Sequence, residues 1–170
     1  MEYINAHLGI FILIGGIIAF FFIFKRFLEI LTGKLPYIKQ PTGLFTNAEK
    51  KFYHMLQKAL DYKFKIFAKI RVADLIAVAP HVSGPAVIHA FNKISRKHID
   101  YVICDKSTLE VLAVVELDDS SHLRKDRIDR DKFVDKVFHS AGIPIIHIKA
   151  QGHYDLRMLA MQISDGIYKN

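Results

Sequence analysis

The feature that most constrains this chain is an unbroken apolar run near its N-terminus, Leu8–Phe24 (LGIFILIGGIIAFFFIF). Its 17 residues lie at the short end of the length that spans a bilayer. Ala6 and the aliphatic stems of Lys25 and Arg26 extend the run. Because backbone groups in hydrocarbon must pair with one another, we predict a helix here despite the β-branched residues. The rest of the chain is therefore expected to fold beside a membrane anchor.

The residues around the apolar run favour a retained anchor over a cleaved signal peptide. A signal peptide begins with basic residues and ends at a small-residue cleavage site. The start of this chain holds Glu2 and no Lys or Arg, and no A-x-A pattern follows the run. Positive charge stays on the cytoplasmic side, and the basic residues after the run are Lys25, Arg26, Lys34 and Lys39. We predict a single-pass protein of the inner or cell membrane, with its N-terminus outside and its C-terminal domain in the cytoplasm.

The rest of the sequence divides into a short linker and one domain. Residues 1–31 are the predicted anchor, and residues 32–45, with two prolines and two glycines, are the predicted linker. Residues 46–170 are long enough for one hydrophobic core. After residue 24 the chain carries 24 basic and 16 acidic residues, a net charge of +8. That balance suits nucleic acid or an anionic membrane surface and does not choose between them.

Hydrophobic periodicity in residues 46–170 predicts an α/β domain with a mixed four-stranded sheet flanked by helices. Thr46 and Glu49 have the spacing of a capping box, which opens the first helix. The predicted order is helix, strand, strand, strand, helix, strand, helix, an αβββαβ core. After the first helix, the predicted elements are strands Phe64–Ile70, His98–Cys104 and Val111–Leu117, helix Lys125–Ala141, strand Ile143–Ile148 and helix Leu156–Ile167.

Acidic side chains interrupt the predicted central strand and its neighbour. Glu116 and Asp118 are two residues apart on a strand, so both are expected to point to one face of the sheet. If the preceding hairpin is centred near Thr108, Asp100 comes opposite Glu116. Carboxylates in an apolar strand are costly unless they are paired or bind a metal, and three that converge suit Mg²⁺. His122 follows the strand as a candidate proton carrier or ligand.

Asp100 on one strand and Glu116-Leu117-Asp118 on the next resemble the PD-(D/E)XK restriction-endonuclease-like superfamily. The stretch ELDDSSH that ends at His122 is most similar to the very-short-patch-repair-like branch and to a related bacterial domain family of unknown function. The resemblance covers about residues 44–150. It implies a restriction-endonuclease-like fold, with hydrolysis of DNA phosphodiester bonds that depends on Mg²⁺ or Mn²⁺.

The resemblance also implies a role for each matching residue. Asp100 would be the central metal ligand, and Asp118 or the carbonyl of Leu117 would complete the metal shell. Glu116 would be a further ligand or a supporting residue. His122 would be the acid or base of the reaction.

Glu49 and Asp118 are the two positions where this assignment meets an alternative. Glu49 resembles the acidic residue on the superfamily's first helix, but its place in the capping box is a sufficient structural explanation. Asp118 stands where a lysine usually orients and activates water. The repair-like branch also lacks that lysine and uses histidine, and Lys97 or Lys125 are other sources of the charge.

Two functions therefore remain open at this point. One is a membrane-anchored, Mg²⁺-dependent endonuclease acting on DNA. The other is a catalytically inactive nuclease-fold module that binds nucleic acid or a protein partner at the membrane. A purely structural membrane adaptor is a third reading, but it leaves the acids on the strands unexplained.

Basic residues flank the candidate acids on both sides in the sequence. We assign binding of the DNA backbone to Lys97, Arg124, Lys125 and Arg127. A solvated helix face with ion pairs between neighbouring turns accounts for the same charges. In the same way, Glu116 and Asp118 would need no metal if they lay at a solvated strand end.

Two further patterns concern the sheet itself. Lys63, Lys65, Lys69 and Arg71 alternate with apolar residues along the first strand, and we expect them to face DNA or anionic lipid. His147 lies in an isoleucine-rich strand, where a satisfied structural histidine is expected rather than a metal ligand.

Overall fold

The computed structural model describes residues 2–33, 35–118 and 125–168, without the side chains of residues 2–8 and 125–131. The chain separates into two compact units, residues 1–41 and residues 42–170. The helices of the described residues are α1 (Glu2–Leu31), α2 (Asn47–Ala59), α3 (Val72–Leu75), α4 (Pro85–Ile94), α5 (Lys125–Ser140) and α6 (Leu156–Tyr168). The strands are β1 (Phe64–Arg71), β2 (His98–Asp105), β3 (Val111–Asp118) and β4 (Ile145–Lys149).

The first unit contains one long helix, α1. Its segment Gly9–Leu31 has 23 residues and a mean hydropathy of 2.2, which makes it long and apolar enough to cross a membrane. At the rise of an α-helix this segment is about 34 Å long. The helix extends past the predicted run Leu8–Phe24, and apolar residues recur among the charged ones up to its end at Leu31. Arg26 and Glu29 pair at 3.2 Å, one turn apart, which offsets their charges.

The second unit contains a mixed four-stranded sheet in the order β1-β2-β3-β4. β1, β2 and β3 are antiparallel neighbours, and β4 runs parallel to β3 after the crossover through α5. The predicted order of the four strands with α2, α5 and α6 is confirmed, and two further helices, α3 and α4, lie between β1 and β2. β3 lies between two other strands, as its continuous apolar run predicts.

The capping box that was predicted from Thr46 and Glu49 opens α2. The hydroxyl of Thr46 accepts from the backbone N–H of Glu49, and the Glu49 carboxylate accepts from the N–H of Thr46 at 2.7 Å. The helix then buries Phe52 and Leu56 completely against the sheet. The cap thereby fixes where α2 begins and holds the Glu49 carboxylate at that end.

Two apolar layers cover the two faces of the sheet, which gives an α/β/α arrangement. On one face α2 and α6 pack on the sheet through residues that include Phe52, Leu56, Tyr101, Val115, Leu159 and Ile163. On the other face α3, α4 and α5 contribute to a second cluster with Val72, Ile94, Val102, Val114, Val134 and Phe138. Glu116 and Asp118 alternate with Val115 and Leu117, so they belong to the face that α5 covers.

The helices α3 and α4 were not predicted. The segment Arg71–Val78 was ambiguous between strand and helix, and it contains the short α3. Residues 80–85 were predicted as a loop, and α4 begins at the end of that loop. Gly84, with φ of 61°, lies at the N-cap of α4. Pro85 follows in the first turn of the helix, where the fixed φ of proline suits helical geometry.

Candidate functional site

The hairpin between β2 and β3 brings Asp100 and Glu116 onto neighbouring positions. Tyr101 pairs with Val115 at the end of the antiparallel ladder, and Asp100 and Glu116 are the next residues along the two strands. This is the register predicted for a hairpin centred near Thr108. The backbone N–H of Leu117 donates to Oδ2 of Asp100 at 3.1 Å, which fixes the carboxylate against β3.

Both β1 and β2 switch the face of the sheet on which their apolar side chains pack. The switch occurs at Lys69 in β1 and at Asp100 in β2. Ala68 pairs with Tyr101, and both pack in the first cluster. Ile70 pairs with Ile99, and both pack in the second cluster. Between them Lys69 adopts φ of 56°, in the left-handed region that non-glycine residues rarely occupy. The change of face brings the Lys69 side chain to Asp100, so Lys69 does not simply alternate with its neighbours as a surface lysine.

The Lys69 ammonium lies between two carboxylates from different elements. Its Nζ is 2.5 Å from Oε1 of Glu49 on α2 and 2.6 Å from Oδ1 of Asp100 on β2. These three side chains are only 18–27% exposed. Burial alone would lower the pKa of Lys69, but the hydrogen bonds to Asp100 and Glu49 outweigh it and the pKa is raised. The site therefore holds a charged ammonium.

Glu49 is held in place from several sides. Burial would raise its pKa, but the hydrogen bond from Lys69 and those from Thr46 lower it overall. The Tyr101 hydroxyl donates to the Glu49 backbone carbonyl at 2.7 Å and so ties α2 to β2. Burial first, and then the charges of Asp100 and Glu49, raise the pKa of Tyr101, which stays a neutral donor. Glu49 thus combines its capping role with a charge at the site.

An open groove of about 690 Å³ lies over these residues on the α5 side of the sheet. Asp100, Glu116 and Lys69 contribute to its lining from the strands. Lys97 also lines it, with its Nζ 5.5 Å from the centre of the Phe133 ring. The other lining residues are Asn92, Lys93, Arg96, His98 and Val134. The groove thus has acids at the sheet and basic residues along the α4 side.

Asp118 has a separate arrangement on the same face. Both of its carboxylate oxygens are 3.2 Å from Nδ1 of His147 on β4. Nε2 of His147 is 3.0 Å from Oδ1 of Asp135 on α5. His147 is a hydrogen-bonded histidine, as predicted, and it connects β3, β4 and α5. Asp118 is not among the residues that line the groove.

The pairing of His147 predicts a pH dependence of stability. Burial would lower the pKa of His147, but the bonds to Asp135 and Asp118 raise it above its ordinary value of 6.5. A raised folded pKa gives stability that is complete below the unfolded pKa and is lost as pH rises through the folded pKa. We expect the melting temperature of the wild type to exceed that of His147→Gln by about 2 °C near pH 5.5, because the partners are partly exposed.

The difference between the two proteins should disappear by about pH 8.5. Thermal melts followed by circular dichroism over this pH range measure it. His153→Gln, at an exposed position, is the matched control and should follow the wild type at every pH. A gap between wild type and His147→Gln that widens as the pH rises would contradict the assignment.

The structure brings together part of the predicted site. Asp100 and Glu116 share the groove with Lys97, and Leu117 contacts Asp100 through its backbone. Asp118 is bonded to His147 instead. The predictions for His122 and Arg124 lie outside the described residues, as do the side chains of Lys125 and Arg127 on α5. Sequence reasoning missed Lys69, whose position in an alternating strand looks like a surface lysine, and Asp135.

The donor set of the groove fits a hard divalent cation. Asp100 and Glu116 line the groove and supply carboxylate oxygens, the ligand type that Mg²⁺ prefers, whereas Glu49 lies outside the lining and reaches the site through Lys69. Among the described residues, no three His, Cys, Asp or Glu side chains already converge on one point. The cation that the carboxylates of Glu49 and Asp100 hold is the ammonium of Lys69.

The fold and the groove define a class of protein: an α/β domain with a mixed sheet and a charged groove, in a chain that also has a helix apolar enough to cross a membrane. Residues 41–167 match the family described as Protein of unknown function (DUF2726), and the chain belongs to this family. Comparisons with curated proteins and with solved structures find no match. What the groove does is therefore inferred from its own side chains.

Proposed function

We propose that this protein is a membrane-tethered nuclease that hydrolyses DNA phosphodiester bonds with Mg²⁺ or Mn²⁺. The observation that carries the proposal is that Asp100 and Glu116, from adjacent strands, line one groove with Lys93, Arg96 and Lys97. Acids attract a divalent cation, and basic residues beside them bind a phosphate backbone. The αβββαβ order and the acids on neighbouring strands support a restriction-endonuclease-like fold.

The residues of the groove have separable roles in this proposal. Asp100 would hold the cation with Glu116 and the carbonyl of Leu117, and the N–H of Leu117 keeps the Asp100 carboxylate oriented. The cation, when bound, would polarise a phosphoryl oxygen and acidify a water molecule. Lys97 and its basic neighbours would position the phosphate backbone. His122 remains the proposed proton carrier.

A module that binds nucleic acid without cutting it is the second candidate. The observation that favours it is the ion pair between Lys69 and Asp100, which already neutralises the central acid. Asp118 stands where the superfamily that the chain resembles usually has a lysine that activates water, and this also favours a module without cleavage activity. Cleavage separates the two candidates, because binding to nucleic acid is expected from both.

We propose further that α1 tethers the domain with the N-terminus outside and the domain in the cytoplasm. The support is the apolar segment Gly9–Leu31 together with basic residues at and beyond its C-terminal end. The tether would confine cleavage to nucleic acid near the membrane.

The test is cleavage of nucleic acid by the full chain in neutral-lipid nanodiscs. We expect nicking or cutting of plasmid DNA with Mg²⁺ or Mn²⁺ and none with EDTA. Because Glu116→Gln removes one carboxylate from the groove, it should slow cleavage by about 10²-fold. Labelled single-stranded DNA and RNA, assayed in parallel, define which substrate is preferred.

Glu110→Gln is the matched control, because Glu110 is an exposed acid outside the groove. It should cut at the wild-type rate. Binding to DNA by wild type without any cleavage across both metals would favour the inactive module. Equal rates for Glu116→Gln and Glu110→Gln would place hydrolysis outside this groove.

A further inference from the structure

Lys69 contacts two carboxylates, those of Glu49 and Asp100. Both carboxylate oxygens of Asp100 already have a hydrogen-bond partner. Oδ1 of Asp100 is 2.6 Å from the Lys69 Nζ, and Oδ2 accepts from the Leu117 N–H at 3.1 Å. A divalent cation that binds to Asp100 must therefore compete with the ammonium for Oδ1. The competition is electrostatic as well as steric, since like charges at one carboxylate repel each other.

Lys69 can give up Asp100 without becoming unpaired. Its second partner, Glu49, is on a different element and is fixed by the capping box. The Lys69 backbone is held between the paired positions Ala68–Tyr101 and Ile70–Ile99. Because Lys69 also lines the groove, an ammonium that leaves Asp100 remains at the edge of the substrate-binding surface.

We propose that Lys69 is a built-in cation of the site, which occupies the metal-binding carboxylate Asp100 until a divalent ion replaces it there. Replacement leaves the ammonium on Glu49 and presents it to the groove. The affinity for the divalent ion is then set by the competition with Lys69. This inference rests on the proposed function, because it takes Asp100 as a ligand of the ion.

Removal of the ammonium should tighten metal binding. We expect Lys69→Met to lower the Kd for Mn²⁺ by at least about tenfold, measured by titration calorimetry on the full chain in nanodiscs. Lys69→Arg keeps the charge and should stay within about threefold of wild type. Lys65→Met removes a charge from an exposed position of the same strand and should leave the Kd unchanged. An equal or weaker affinity in Lys69→Met overturns the inference.

A measurement on the wild type decides the matter if Lys69→Met does not fold. An amine held by two carboxylates reacts slowly with an acylating reagent, so the loss of one of these two partners should make Lys69 more reactive even while it stays paired with Glu49. We expect Mg²⁺ to raise the rate of Lys69 acetylation at least about twofold, followed by peptide mass spectrometry. Lys65 in the same sample provides the reference rate. No change, or slower acetylation of Lys69, would overturn the inference.

The failure of this inference can be told apart from the failure of the proposed function. If metal-dependent cleavage requires Glu116 but the Lys69→Met affinity is unchanged, only the role of Lys69 is wrong. If neither wild type nor Lys69→Met binds Mn²⁺ and no nucleic acid is cut, the metal site itself is wrong.

Discussion

Asp100→Asn is expected to lower Mg²⁺-dependent cleavage of DNA by at least about 10³-fold, or about 4 kcal/mol of transition-state stabilisation. The amide is nearly isosteric with the carboxylate, and its oxygen can still accept from the Leu117 N–H. What it loses is the negative charge that the proposed cation requires. Glu49 remains to pair with Lys69, so the variant is expected to fold.

Single-turnover cleavage rates and thermal melts of the same samples measure this effect. Asp61→Asn is the control, because Asp61 is exposed with φ of 49°, a conformation that asparagine accepts readily. It should cut and melt like the wild type. Asp100→Asn protein that melts normally and cuts within tenfold of the wild-type rate would remove Asp100 from the catalytic site.

The register that brings Asp100 beside Glu116 was only partly predictable, because it depends on local turn chemistry and on a bulge. Oδ1 of Asp105 accepts from the backbone N–H groups of Ser107 and Thr108, at 2.7 and 2.8 Å. This short-range pattern closes the hairpin, but a bulge between Ile103 and Cys104 then shifts the register by one residue and gives the pair Tyr101–Val115. Local signals also predicted the capped start of α2 and the order of the strands.

The contacts of Lys69 were not predictable for the opposite reason. Its alternation with apolar neighbours is that of a surface lysine, and no local signal announces a left-handed conformation at a lysine. The change of face depends on which layer Ile70 and Ile99 enter, and this is decided by packing against α4 and α5. The role of the residue therefore emerges only from tertiary structure.

The partners of His147 show the same limit across a longer connection. Sequence predicted a hydrogen-bonded histidine but not which acids it would meet. Glu116 is the Cα partner of His147 in the parallel ladder between β3 and β4, and that register is set by how the α5 crossover packs. Asp118 and Asp135 become its partners as a consequence, and this removes Asp118 from the groove.

The proposed membrane tether predicts an all-or-none change in fractionation. Ile18 and Phe21 lie near the middle of the segment Gly9–Leu31. A carboxylate at the centre of a spanning helix costs about 3 kcal/mol on insertion scales, so Ile18→Asp with Phe21→Asp costs about 6 kcal/mol or more. We expect wild type to resist extraction of membranes with alkaline carbonate and the double variant to appear in the soluble fraction.

Ile38→Asp with Leu44→Asp is the matched control, because it adds the same charge at exposed positions outside the apolar segment. It should stay in the membrane, since its cost does not involve hydrocarbon. The intact mass of the wild type distinguishes an anchor from a cleaved leader, because only cleavage shortens the chain. Carbonate-soluble wild type, or a mature chain that lacks Gly9–Leu31, would leave the groove with no tether to the bilayer and would separate the nuclease proposal from the membrane.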